Sequence, residues 1–487
     1  MLAHDLINPH GYIFPTLLSL TAIITDVAPL WLAQPIIAIV GAVPPVIAVL
    51  LVWRLASPYA RTDAILLAAL AAGLTLALEG LYLRRTVTVS YEVLGILFVA
   101  LVAIAAHRFC RTRRPAWGVA TIAMLVVLPI THHLSTFMAA LTVTSVVALA
   151  VARDGRRALT PGLLILASFW LYVLGYYALT RPPYSGDVAA KPGLFVAWMV
   201  IMAVGALWLA NSSARSTRLT IGGVFVSGFA ILGANAIWEL FPATAATPFQ
   251  LLVYMAPLTV LAALAVWGLP LGTGLTGDRA IVLALLVAPL AWTGFAITAG
   301  ADPVYSLFAR RGQTFVHLAT VVCAGIAICA LARRVNPSRK RVVTVGLPLL
   351  LCVCALVSLP LAFAGLEALA YQGTTTSEEF SSATFATETL EDTWTSDDHI
   401  TRVARNYYRT DASPQPAYDW LHSGGNFQCP TVMQASWQTV GAQQYPSSPI
   451  PLEPAVYQET IQTQHTVYVT TGSDPVTIVV PTGERSC

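Results

Sequence analysis

The chain has 487 residues, 56% of hydrophobic types and only 10% charged, with a mean hydropathy of +0.69; a soluble globular protein carries about 25% charged residues. So few charges cannot cover a water-soluble surface, which excludes a soluble enzyme, a disordered tail protein and a secreted disulfide scaffold, and leaves a polytopic membrane protein. The net charge of +3 combines two opposed parts: residues 1–370 hold 23 Lys and Arg against 11 Asp and Glu, and residues 371–487 hold 4 against 13.

Residues 11–31 (GYIFPTLLSLTAIITDVAPLW) open the chain as a weak span, interrupted by Pro15, Asp26 and Pro29. The segment either crosses the bilayer or lies along its interface. Apolar runs of roughly 16–25 residues then predict twelve firmer spans, over 35–54, 63–82, 91–107, 116–131, 134–152, 160–179, 194–210, 220–240, 249–269, 280–299, 316–332 and 343–369. The expected fold is an all-α polytopic membrane protein of about 12–13 transmembrane helices, occupying residues 1–370. Residues 371–400, rich in Thr, Ser, Glu and Asp, read as a polar acidic stalk or linker. Residues 401–487 read as a small α/β or β-rich domain. Within it the alternating stretches HTVYVTT (465–471) and PVTIVVP (475–481) predict strands around the Gly-Ser-Asp turn at 472–474.

The connecting loops alternate in charge. One set holds Arg54, Arg61, Arg108, Arg111, Arg113, Arg114, Arg153, Arg156, Arg157, Arg215, Arg218, Arg279, Arg333, Arg334, Arg339, Lys340 and Arg341, 17 in all; the other holds Arg84, Arg85, Arg181, Lys191, Arg310 and Arg311, 6 in all. Short basic loops stay in the cytoplasm. This register predicts a multi-pass cell-membrane protein with its C-terminal domain extracytoplasmic. It also puts outside the 79–92 hairpin, the His132 and His133 turn and a 302–311 loop. If 11–31 lies at the interface, a first span upstream is missing from this chain.

No P-loop, G-x-S-x-G, H-E-x-x-H or dinucleotide fingerprint occurs in the sequence. What stands out is polar residues at the outer membrane face, which are costly there. The sharpest group is T-H-H-L-S-T (131–136). Neighbouring helical residues point about 100° apart, so His132 and His133 share a face only if their turn is non-helical. They read either as a polar turn at the headgroups or as donors for phosphate oxygens or a proton carrier. Glu79 and Glu92 bracket Arg84 and Arg85; this is an interfacial salt-bridged loop, or else a carboxylate base beside arginines that hold an anionic leaving group. Arg310 and Arg311, on the arginine-poor side, are either interfacial anchors or ligands for a lipid phosphate. Cys323, Cys329, Cys352 and Cys354 lie in apolar runs and Cys110 in a basic loop, as packing thiols. Cys429 and Cys487 lie in the tail and can pair if it faces an oxidising exterior.

Four short motifs carry a family resemblance. Y-I-F-P-T-L-L-S-L (12–20) resembles the Y-x-x-P-x-x-x-L-L segment after the first exterior loop of archaeal and bacterial GT-C-type glycosyltransferases, multi-span enzymes that draw sugars from polyprenyl-phosphate carriers. S-Y-E-V-L-G (90–95) resembles their P-E-x-L-x segment, L-P-I-T-H-H-L-S-T-F (128–137) is similar to the T-H-H-L-T motif of archaeal members, and R-R-G-Q-T-F (310–315) resembles the arginine-led start of a late span. The resemblance implies inverting transfer from a polyprenyl-phosphate-linked sugar to a glycan or protein acceptor, within the lipid bilayer and without nucleic acid. It implies that Glu92, as base, and His132, His133 and Arg310 or Arg311 face an exterior cavity; the hairpin's own chemistry adds Arg84 and Arg85 as candidate substrate-binding groups and Glu79 as a second candidate carboxylate. Such enzymes keep an acid in the first exterior loop as base or metal ligand; here the local acid is Asp5, in H-D-L-I-N-P-H. No residue set names a cofactor, and a divalent metal is left open because Arg and His alone can hold phosphate. Two other classes stay in play: a transporter or flippase, which needs polar groups at mid-membrane and paired halves, and a non-catalytic scaffold with the tail as binding module.

Overall fold

The computed structural model describes residues 11–182, 185–238, 240, 246–364, 372, 375–390, 393–424, 428–445, 447–483 and 487. They fall into two units, Met1–Gly233 with Leu251–Phe363, and Ala234–Gln250 with Ala364–Cys487.

The first unit is helical. Its elements are α1 (Ile13–Thr25), α2 (Pro29–Ala56), α3 (Thr62–Leu78), α4 (Gly80–Val87), α5 (Glu92–Thr112), α6 (Pro115–Thr131), α7 (His133–Asp154), α8 (Arg156–Thr180), α9 (Ser185–Ala189), α10 (Pro192–Asn211) and α11 (Ala214–Asn235). After them come α12 (Phe249–Met255), α13 (Leu258–Gly272), α14 (Arg279–Ala299), α15 (Pro303–Gln313), α16 (His317–Arg334), α17 (Pro337–Arg341), α18 (Leu347–Ser358) and α19 (Pro360–Phe363). Proline opens α2, α6, α10 and α15, where its missing N–H is no loss and its fixed φ suits the first turn. Asp26, Arg113 and Arg181 end α1, α5 and α8 at positive φ, the left-handed step that stops a helix.

Among the described residues nine helices or continuous helical stretches are long and apolar enough to cross a membrane, and eleven if two bent pairs each form one span. These pairs are α3 with α4, bent by 62°, and α12 with α13, bent by 45°. Against the expected count of about twelve to thirteen, nine to eleven meet these measures of length and composition among the described residues. Every predicted run contains a helix, but α1 and α6, at 13 and 17 residues, fall short of the roughly 20 a bilayer needs. The 302–311 segment, expected as a loop, is helix α15. Pro303 at its first turn starts it early, and a 3₁₀ turn over Thr314–Val316 joins it to α16.

Central helices are apolar all round. In α7, α14 and the Pro303–Arg334 stretch, 83%, 78% and 94% of the apolar window is buried, against 22% in α10 and 11% in α11. The outer helices thus leave apolar side chains such as Val200, Val204, Leu219 and Val226 exposed, a surface of the kind that a lipid environment covers at low cost. Small residues let the inner helices approach. A Cβ on Gly268 of α13 would stand 1.9 Å from the Cys323 carbonyl oxygen of α16, so these backbones touch as membrane helices with small residues do. At the arginine-rich end, Asp278 before α14 binds Arg54 of α2 at 3.0 Å and Arg108 of α5 at 3.2 Å. Arg279 donates to the Tyr59 hydroxyl at 2.7 Å.

The second unit contains α20 (Ser377–Thr389), α21 (Asp398–Val403), α22 (Gln415–Ser423), β1 (Thr431–Gln434), α23 (Pro454–Thr463), β2 (His465–Val469) and β3 (Val476–Val480). The strands form one antiparallel sheet in the order β1-β3-β2. β2 and β3 are the two alternating stretches of the sequence; β1 is paired to β3 with Val432 opposite Ile478. Within the segment expected as a stalk, Ser377–Thr389 is a helix and a second begins at Asp398. A capping box between Thr376 and Glu379 starts α20, and its Ala383 and Ala386 pack with Trp394, Ile400, Val432 and Ile478. Its apolar side is built from alanines, which a polar composition hides. Cys429 and Cys487 form a disulfide.

A buried ion pair sits in this unit. Glu379 accepts from Thr376 N–H, Gln372 and Gln434, and meets His399 Nε2 at 3.3 Å. Burial alone would raise the Glu379 carboxyl, but the bond to His399, its charge and the other donors hold it below the usual range. Burial alone would lower His399, but the bond to Glu379 and the charges of Glu379 and Asp397 raise it. Asp397 is raised by its burial, against the donors around it. The signs follow. The Glu379 contribution is lost as pH falls through its lowered pKa, and there relief of the buried Asp397 charge opposes the loss. The His399 contribution is full below about 6.5, the ordinary imidazole value, and fades as pH rises through the raised one. The alkaline limb therefore isolates His399. Protease resistance of this unit is expected to fall as pH rises from 6.5 upward in the native chain, and His399→Gln is expected to flatten that limb.

Candidate functional site

One polar cluster is built where α5 begins, α6 gives way to α7, and α4 and α15 end. Glu92 is the first residue of α5; the Ser90 hydroxyl accepts its N–H at 3.1 Å and turns the chain into the helix. The carboxylate is only 4% exposed. Its Oε2 lies 4.0 Å from an Arg85 nitrogen, and its Oε1 is buried with no hydrogen-bond partner among the described residues. The first turn of a helix favours negative charge. Arg85 comes from the last turn of α4.

His132 is not helical: its φ of −161° and ψ of 120° separate α6 from α7. That break meets the condition under which both histidines can share a face, and their ring centres lie 4.9 Å apart. The ring of His132 caps α7. Its Nδ1 accepts the Ser135 N–H at 3.3 Å and bonds the Ser135 hydroxyl at 2.8 Å. A backbone N–H can only donate, so the neutral ring carries its proton on Nε2, the form that offers a donor to an anion. Tyr91 packs 5.4 Å from the His132 ring, and Arg85 and Arg311 both act electrostatically on it. Of the residues singled out in the sequence, Arg85 stands beside Glu92, His132 beside His133, and Arg311 is near enough to His132 to act on it electrostatically.

The remaining predicted residues sit differently. Arg310 is exposed where Arg311 is half-buried, as adjacent positions on one helix turn must point apart. Arg84 is half-buried, as Arg85 is. Glu79 is fully buried between α3 and α4. Its Oε1 accepts the Leu81 N–H at 2.8 Å and its Oε2 the Tyr82 N–H at 3.1 Å, while His317 Nδ1 meets Oε2 at 2.7 Å. Glu79 is thus a helix cap and an imidazole partner. His317, 238 positions away in sequence, carried no local signal and was missed. Asp5 lies outside the described residues. Among the described residues no three His, Cys, Asp or Glu side chains gather to hold a metal.

The site depends on close approach of α5 to α7. A Cβ on Gly95 would stand 2.1 Å from the Ser135 oxygen and 3.2 Å from the His132 Cβ. Gly95→Val is expected to cost about 1–3 kcal/mol of stability, read as a lowered unfolding midpoint in detergent, with Gly95→Ala between it and wild type. Compared with known proteins, no family model matches the chain and no curated protein sequence matches it.

Proposed function

We propose that the protein is a GT-C-like membrane glycosyltransferase that moves a sugar from a polyprenyl-phosphate donor to a glycan or protein hydroxyl or amide on the extracytoplasmic face of the cell membrane. The observation that carries this reading is the juxtaposition of Arg85, Glu92, His132 and Arg311. In this reading Glu92 takes the proton of the acceptor group. That group attacks the anomeric carbon, the bond from this carbon to the phosphate oxygen breaks, and configuration inverts. Arg85, Arg311 and the Nε2–H of His132 hold the departing lipid phosphate. Three supports bear on the membrane side: the 17 to 6 division of basic residues among the loops, the Asp278 pair with Arg54 and Arg108 at the far end of α5 from Glu92, and the Cys429–Cys487 disulfide, a bond of oxidising compartments. The test is incubation of the purified full chain with labelled polyprenyl-phosphate sugar and membrane acceptors. Transfer that exceeds a His132→Ala/His133→Ala double variant is expected; equal counts in both would reject the reading.

A further inference from the structure

A second site lies in the same unit and is distinct from the Glu92 cluster, none of whose residues line it. It is a half-open cavity of about 700 Å³ lined mainly by α10 to α14 and the start of α16. That is the size of a small-molecule site, about 300–1,000 Å³. Its wall is almost wholly apolar, with Trp198, Met202, Phe229 and Leu258 among the lining side chains. Glycines keep it open: Gly205, Gly223 and Gly228 line it, and a Cβ on any of them would meet nothing within 4 Å. Its outer side is α11, the helix with the smallest buried share of those tested, so the space borders the face that lipid covers.

The polar groups of the lining include Ser227, Thr293, Gln313, His317 and Thr320. His317 is the single ionisable side chain among the described residues of its lining. Glu79 fixes that ring by accepting at Nδ1, and its own carboxylate is anchored by two N–H groups of α4. The neutral ring therefore keeps its proton on Nδ1 and presents Nε2 as an acceptor. Tyr82 packs beside it, ring centres 6.3 Å apart, with a buried hydroxyl that has no hydrogen-bond partner among the described residues. The lining itself holds no arginine, lysine or carboxylate, and the Glu79 carboxylate behind it is already taken up by His317 and two N–H groups of α4. A bare charge there would carry the full desolvation cost.

We propose that this cavity binds a single-chain lipid with an uncharged hydroxyl head, a long-chain alcohol whose O–H donates to His317 Nε2 while its tail fills the space between α10, α11 and α13. The shared chemistry covers isoprenoid and straight-chain alcohols alike. The site stands independently of the transferase reading, and its test uses no transfer activity. The full chain in lipid nanodiscs is photolabelled with diazirine-bearing hexadecanol, farnesol, palmitic acid and hexadecylamine. Saturable labelling of peptides from α10, α11 and α13 is expected with at least one alcohol, several-fold above the acid and the amine; comparing the two alcohols distinguishes the sources. Gly228→Phe, whose ring enters open space, is expected to reduce alcohol labelling several-fold, with Gly223→Leu as the second variant should the first fail to fold. His317→Ala is expected to abolish the preference over the acid and amine. Unsaturable labelling, equal labelling by the charged probes, or labelling unchanged in a folded cavity-filling variant would overturn the proposal.

Discussion

Glu92→Gln is expected to lower labelled sugar transfer by about 10²–10⁴-fold, the usual range for loss of a positioned general base. The amide keeps the shape of a side chain that is 4% exposed but cannot serve as the proposed base. The partner arginine controls for charge: Arg85→Lys keeps the cation but loses the planar fork that grips phosphate, so it is expected to raise KM for the donor more than it lowers kcat. Glu79→Gln is a contrasting case. That carboxylate caps α4 and holds His317, so its loss is expected in the unfolding midpoint rather than in the chemistry. A Glu92→Gln protein with wild-type turnover would remove the base from the proposal.

Opening the disulfide is the largest expected effect on stability. Cys429 and Cys487 close a loop with a sequence separation of 58, and chain entropy for that length gives about 4 kcal/mol. The bond ties the start of the β1 strand to the segment after β3, on either side of the sheet's core residues Val432 and Ile478. A Cys429→Ser/Cys487→Ser double variant, or reductant on the native chain, is expected to make the second unit sensitive to protease at temperatures where the helical unit stays intact. Identical digestion patterns with and without reductant would contradict this.

Local patterns were readable in the sequence, and long-range partners were not. Alternation in HTVYVTT and PVTIVVP announces β2 and β3 because a half-buried strand repeats every second residue. The apolar runs announce their helices for the same kind of reason, though not where each would bend. The kink between α3 and α4 arises at Glu79, whose side chain leaves the helix to cap the next one, and a hydropathy window averages over that. Residues 371–400 read as stalk because Thr, Ser and Glu dominate, yet Ala383 and Ala386 suffice to seat α20 on the core. At the site, T-H-H-L-S-T stood out through its own chemistry. That His132 would cap α7 and bond Ser135 follows from a break in helical geometry that residue types alone leave open. His317 shows the limit most plainly: its partner Glu79 lies twelve helices away in the chain, and nothing near either residue points to the other.

The proposed chemistry requires the Glu92 end of α5 to face the exterior, and cysteine labelling of intact cells tests this most directly. Thr88, between α4 and α5, and Ser57, after α2, are both exposed, and they lie by the Arg85 and the Arg54 ends of the bundle respectively. With a membrane-impermeant maleimide, Thr88→Cys is expected to label on intact cells above the wild-type background, and Ser57→Cys only after permeabilisation. Labelling of Ser57→Cys from outside, with Thr88→Cys protected until the membrane is opened, would contradict the account.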